Sequence, residues 1–210
     1  MANEIRTIAV IGAGDLGREI AALALLAGYR TILEDVSESR LEQAAAALTR
    51  LGDGMRGQLI TANTVEDAVR DADLILEAVA EEMEMKIELF TIFDKFAKPG
   101  AILASSSPSL SIADMASVTF CAERCIGMRF PAAANGKHIL ELVCAPETSE
   151  ETVTACTEVA RRMGKEIIVA REMEPSKEDA GAADVTEPRR QDAGATVATD
   201  TFALRTRSRD

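Results

Sequence analysis

The chain has 210 residues, which bounds it at one domain, or one domain with a small appendage. Hydrophobic residues make up 47% and aromatics 3%, with no Trp, so the core must be built from Ala, Leu, Ile, Val and Met. A formal net charge of -12 and a pI of about 4.7 argue against nucleic acid and against an anionic membrane surface, which need clustered Lys and Arg.

No apolar run reaches the roughly 18 residues of a spanning helix. The opening MANEIRT is not a secretory signal, so a cytoplasmic protein is expected. Ile8, Ala9, Val10 and Ile11 then form a short continuous apolar run, as in a strand buried on both faces. Gly12, Gly14 and Gly17 follow at G-x-G-x-x-G spacing, and an Ala/Leu-rich helix runs to a stop at Gly28. Thr31, Ile32 and Leu33 read as a second strand ending on Glu34 and Asp35.

Each glycine of the loop has its own task. Gly12 permits the tight turn, Gly14 lets a pyrophosphate approach the backbone, and Gly17 lets the helix pack on the strand. The helix start offers free N–H groups and a positive dipole end. The loop Gly12, Ala13, Gly14, Asp15, Leu16 and Gly17 is therefore the expected phosphate site, with the side chain of Asp15 turned to solvent. The bland alternative is a β-α turn that binds nothing. An acid roughly 20 residues on completes the fingerprint. Asp35 is expected on the adenosine ribose, and Glu34 with Asp35 would repel a 2′-phosphate, favouring NAD over NADP.

Ser37 reads as an N-cap for a helix through Leu51, broken by Gly52 and Gly54. Leu59 to Thr61 is a short strand, and Thr64 caps a helix from Val65 to about Arg70. Leu74 to Leu76 is a third strongly apolar strand, followed by an amphipathic helix from about Glu81 to Phe96. Pro99-Gly100 turns into a strand over Ala101 to Ala104, which runs into Ser105, Ser106 and Ser107. A short helix over Ile112 to Ala116, strands over Arg124 to Phe130 and His138 to Val143, a helix from Ser149 to Met163 and a strand over Ile167 to Ala170 complete the pattern. Strands alternating with helices mean an α/β fold with a doubly wound, mostly parallel sheet, which binds ligands at the carboxyl ends of its strands.

Cys121, Cys125, Cys144 and Cys156 match no zinc spacing, and no metal is expected. A Cys121–Cys125 disulfide is conceivable, but reduced thiols suit a cytoplasmic chain better. From Glu172 onward the periodicity dissolves, so the domain is placed at 1–172 and residues 173–210 are expected to be a largely disordered tail. Its Arg205, Arg207 and Arg209 read as a solvated end rather than a contact patch.

Several stretches carry a family resemblance: GAGDLGREIA, ADLILEAVAE, KPGAILASSSPSLSI, CIGMRF, and ILELV followed by TSEETV and MGK. Through them, from Ile8 to about Glu172, the chain resembles the NAD-binding domain of the L-3-hydroxyacyl-CoA dehydrogenases of fatty acid β-oxidation. The resemblance implies a Rossmann-type dinucleotide-binding domain with NAD as cofactor. It implies that Glu81 and Lys86 contact the cofactor on the nicotinamide side, and that Ser106 stands where the family has an Asn.

The catalytic positions depart from the family. Where the resemblance implies a histidine base, this chain has Arg129, which stays protonated near neutral pH. Glu141 matches the glutamate that orients that histidine, and a carboxylate–guanidinium pair with Arg129 is expected instead. The family's substrate serine aligns with Pro108, and its following asparagine with Ala132. His138 is the one histidine and a weak substitute base. The helical domain that closes over acyl-CoA is not matched, and the insertion after the second strand is shortened between Leu51 and Leu59.

Three functions remain open: an NAD-dependent oxidoreductase on an acyl-CoA or another small substrate, a non-catalytic NAD sensor or partner subunit, and a half completed by another polypeptide. The resemblance leaves a homo-oligomer or a partner protein open.

Overall fold

A computed structural model describes residues 4–131 and 138–172. The first strand, β1 (Thr7–Ile11), is buried along its whole length, as its unbroken apolar sequence requires. Helix α1 (Asp15–Leu26) leads to β2 (Arg30–Glu34), α2 (Glu38–Thr49) and β3 (Gln58–Ala62). Helix α3 (Val65–Val69), β4 (Leu74–Glu77), α4 (Met83–Phe96) and β5 (Ile102–Ser105) continue the alternation. The rest is α5 (Ile112–Ala116), β6 (Cys125–Arg129), β7 (Ile139–Cys144), α6 (Glu150–Arg162) and β8 (Glu166–Arg171).

Local chemistry sets these boundaries. The Ser37, Thr64, Ser111 and Ser149 hydroxyls accept from backbone N–H groups three residues on, at 3.1–3.4 Å, so each caps an otherwise orphaned donor. Most boundaries shift by a residue or two from the sequence reading. Helix α4 begins at Met83, because Glu82 is still extended. Ala122–Arg124 forms a single 3-10 turn ahead of β6 rather than the start of the strand.

The eight strands form one sheet in the order β3-β2-β1-β4-β5-β6-β7-β8. Neighbours are parallel except β6 and β7, whose antiparallel register sets Arg129 opposite Glu141. Alternate side chains of the central strands feed two cores. Ile8, Val10, Leu74 and Leu76 pack with α1, α2 and α6, including Ile20, Leu41 and Val159. Ala9, Ile11, Ile75 and Leu103 pack with α3, α4 and α5, including Val69, Phe90 and Met115. The result is a three-layer α/β/α stack.

The end of β8 is anchored. The Glu172 carboxylate accepts from Ile112 N at 2.7 Å and Ala113 N at 2.9 Å, which satisfies the first donors of α5. All four cysteines are buried and unpaired, so the Cys121–Cys125 disulfide is not formed. Among the described residues, no helix is long and apolar enough to cross a membrane. Ala132 and the proposed tail at 173–210 lie outside the described residues.

Candidate functional site

The strand order reverses between β1 and β4, and a cleft opens there at the carboxyl ends of the strands. It has a volume of 460 Å³. It is lined by Gly12 and Gly14, by Ala78 to Ala80, and by the charged Glu34, Asp35 and Arg40. Val36, Val65, Met85 and Leu89 add apolar lining. Val36 is 96% exposed and Met85 39%, so the cleft offers accessible apolar surface.

The glycine loop is fixed by backbone contacts. Gly12 has φ +105°, and a Cβ there would lie 2.6 Å from Ala78 O. A Cβ on Gly17 would fall 1.8 Å from Gly12 O, so only glycine lets α1 approach the loop this closely. At Gly14 a Cβ would meet nothing within 4 Å, so the space over the loop is open. Gly14 is also the N-cap of α1 and has no side chain to satisfy the first turn. The uncapped N–H groups of Asp15, Leu16 and Gly17 are therefore a ready anion site.

Other loop residues take separate tasks. The side chain of Asp15 is 97% exposed and pairs with Arg18, so its charge faces away from the loop. Leu16 packs its side chain on the core. The Ala13 N–H points inward and donates to Asp35 Oδ2 at 2.8 Å.

Asp35 is thus the hinge pin of the cleft. Its other oxygen accepts from Ser37 N at 2.8 Å, and Arg40 Nη1 stands 3.4 Å from Oδ2. An ionised carboxylate has about four lone-pair sites, so capacity remains for a ribose hydroxyl at the cleft edge. Arg40 was legible in the sequence only as part of a helix start. Beside it Glu34 is 4% exposed, and its pKa is pushed up to about 7 by burial first and then by the charges of Asp35 and Glu66.

The second half of the site lies at the ends of β4, β5 and β6. Lys86 is fully buried, with Nζ 2.6 Å from Glu77 Oε1 and 3.4 Å from Glu81 Oε2. Glu77 also accepts from Ser105 Oγ at 2.7 Å and from Val79 N at 2.7 Å. Lys86 is therefore placed to hold Glu77 and orient Glu81, with its ammonium enclosed. Glu81 accepts from the hydroxyls of Ser107 and Ser109. Burial would raise its pKa, but those hydrogen bonds and the Lys86 charge outweigh it and hold the carboxyl below its usual range.

Ser106 is 6% exposed, and its N–H donates to Glu77 O at 3.0 Å, which fixes the strand end. Arg129 Nε donates to Ser107 O at 2.8 Å, and Nη1 lies 3.7 Å from Glu141 Oε2. The expected Arg129–Glu141 pair is thus present as a long contact. His138 is exposed at the start of β7. Sequence reasoning gave Glu77 no role, and gave Ser105 and Ser107 none beyond membership of the Ser-rich loop after Ala104, expected to face the nicotinamide. A signal for the first existed: Lys86, Leu89, Phe90 and Phe93 share one helix face, and a lysine on a buried face requires an acid. Among the described residues, no group of three or more His, Cys, Asp or Glu is placed to hold a metal ion.

Comparison with known proteins agrees with this geometry. Residues 7–173 match the family model described as 3-hydroxyacyl-CoA dehydrogenase, NAD binding domain. A 3-hydroxybutyryl-CoA dehydrogenase of Bradyrhizobium diazoefficiens is 31% identical over 188 residues, covering 82% of this chain and 63% of the relative. A probable 3-hydroxybutyryl-CoA dehydrogenase of Bacillus subtilis is 35% identical over 179 residues, covering 77% of this chain and 61% of that one. The crystal structure of an (S)-3-hydroxybutyryl-CoA dehydrogenase from Ralstonia eutropha superposes with a TM-score of 0.71 at 26% identity, covering 81% of this chain and 65% of that chain. The chain thus spans less than two thirds of the length of these relatives.

Proposed function

The chain belongs to the family of the 3-hydroxyacyl-CoA dehydrogenase NAD-binding domain, and from that premise we propose that its NAD site is intact while the family's dehydrogenation is impaired or absent. The residues fit the cofactor. Open space over Gly14, an uncapped helix end and the Asp35 carboxylate belong to one cleft, which supports a pyrophosphate at the loop and a ribose at Asp35. NAD, when bound, supplies the hydride acceptor for oxidation of an alcohol. Glu81, held by Ser107, Ser109 and Lys86, is offered as the polar contact toward the nicotinamide end, with Ser106 beside it.

The observation that carries the proposal is Arg129. At the position where the resemblance implies a proton acceptor, a guanidinium donates to Ser107 O at 2.8 Å and stands beside Glu141. It stays charged throughout the neutral range, so it can hold a negative group but cannot take up the hydroxyl proton. Glu141 is left to balance the arginine charge.

The test combines calorimetry with turnover. The protein is expected to bind NAD and to leave acetoacetyl-CoA unreduced when NADH absorbance is followed. Turnover that survives Arg129→Ala would refute the assignment of Arg129.

One observation favours a second reading. The Arg129 side chain is 22% exposed, and a guanidinium carries five donors. That suits a small carbonyl or hydroxy substrate bearing a carboxylate, and NAD-dependent turnover of such acids would separate this reading from a non-catalytic sensor or partner subunit. A cytoplasmic setting, suggested by four unpaired thiols, and a homo-oligomer belong to the same proposal.

A further inference from the structure

Glu34 stands out within the cleft. It is the last residue of β2, it lines the cleft beside Asp35, and it is 4% exposed. Its backbone is committed, since Gly12 N donates to Glu34 O at 2.9 Å. Its carboxyl is not: among the described residues, none donates a hydrogen bond or forms an ion pair with it. Asp35, one residue on, has two backbone donors and Arg40. No buried side-chain oxygen among the described residues lacks a partner, so the Glu34 oxygens still reach water at the cleft; a ligand that covers them must leave the carboxyl a proton or supply a donor.

The surroundings decide which. The charged groups facing Glu34 are Asp35 just after β2, Glu66 on α3 and Arg40 on α2. Arg40 is drawn to Asp35 at 3.4 Å. From α4 the cleft receives only Met85 and Leu89, and from the β4 end only Ala78, Val79 and Ala80. Two acids and an apolar wall favour the neutral form.

We propose that Glu34 admits the adenosine end of the dinucleotide only as the protonated acid, so that NAD binding draws one proton into the cleft. This rests on the NAD site argued above. Adenosine laid over Val36, Val65 and Met85 removes the last water from the carboxyl, which a charged Glu34 would resist. A protonated Glu34 instead offers one O–H donor to a ring nitrogen or a ribose hydroxyl. The free protein is already poised for the exchange, because the acid titrates at about 7.

Proton linkage gives the size of the effect. Above the free protein's titration point, NAD affinity falls by up to about tenfold per pH unit. The experiment titrates NAD calorimetrically into the full chain from pH 6 to pH 9, each in two buffers of different ionisation enthalpy. Wild type is expected to take up almost no proton at pH 6 and close to one at pH 8, with weakening affinity. Glu34→Gln, which keeps a donor and the shape, is expected to bind with the same affinity throughout and to take up none.

Equal proton uptake in both proteins, or a wild-type affinity that does not fall with pH, overturns the proposal and leaves the NAD site standing. Absence of binding in both proteins at every pH overturns the NAD site itself. A carbon-13 NMR titration of the Glu34 carboxyl in wild type, with and without NAD, tests the same point without any substitution. NAD is expected to raise the titration point, and an unchanged one overturns the proposal.

Discussion

The Lys86 ammonium lies 2.6 Å from the Glu77 carboxylate, and neither side chain is more than 1% exposed. The pair ties the end of β4 to α4. Glu77 holds the Val79 N–H and the Ser105 hydroxyl, while Lys86 reaches on to Glu81. Removing one partner strands the other charge in the interior, which costs roughly 3–5 kcal/mol. Lys86→Met is therefore expected to lower stability by about that amount in urea unfolding. The double variant Glu77→Gln with Lys86→Met is expected to recover part of it, because no lone charge is left.

Two glycines of one loop should behave oppositely. Gly17→Ala drives a Cβ to within 1.8 Å of Gly12 O, a backbone atom that cannot move aside cheaply. A loss of about 1–3 kcal/mol is expected, together with loss of NAD binding. Gly14→Ala meets nothing within 4 Å, so stability should change by less than about 0.5 kcal/mol. Its methyl instead occupies the space kept for the pyrophosphate, and NAD affinity should fall at least about tenfold. Thermal unfolding and NAD titration of the two variants check both statements.

Asp35 ties the loop to β2 and is the proposed ribose contact. Asp35→Ala leaves Ala13 N and Ser37 N without their acceptor and frees Arg40. Hydrogen bonds to a charged group contribute about 1.5–3 kcal/mol each, so NAD affinity should drop roughly tenfold or more. With the acid gone and Arg40 released, NADP should lose less affinity than NAD. Competition between the two dinucleotides measures this, and an unchanged ratio would remove Asp35 from the ribose.

The free protein's stability should carry the mark of Glu34. Its folded pKa of about 7 lies above the ordinary value of 4.5, so the folded state holds a proton that the unfolded state has released. That contribution is complete below 4.5, declines as pH rises from 4.5 to 7, and is lost above 7. Relative to Glu34→Gln, wild type should match in Tm at pH 4 and melt about 2–4 °C lower at pH 8, the shift for roughly 1 kcal/mol in a chain of this size. Parallel melting curves across that range would place the Glu34 titration elsewhere.

Much of the architecture was legible because it rests on local rules. Continuous apolar runs such as Ile8–Ile11 and Leu74–Leu76 leave no polar face, so they must lie between two layers. Ser37, Thr64 and Ser149 mark helix starts because a hydroxyl three residues before a free N–H suffices to cap it. The glycine spacing located the tight turn between β1 and α1 for the same reason, since chain geometry alone requires residues without Cβ at Gly12 and Gly17.

Most of the side chains that meet across the fold were not legible in this way. Lys86 and Glu77, and Glu172 and the start of α5, are brought together by strand order and helix packing, and the Arg129–Glu141 pair was expected only through the family resemblance. The sequence by itself determined the layers, the caps, the glycine loop and an arginine rather than a histidine at position 129. Only the tertiary structure decided that Asp35 is tied to Ala13 and Arg40 while Glu34 beside it has no donor. The reason is physical: a propensity or a cap depends on neighbours along the chain, whereas the charge state and reach of an acid depend on what distant segments pack around it.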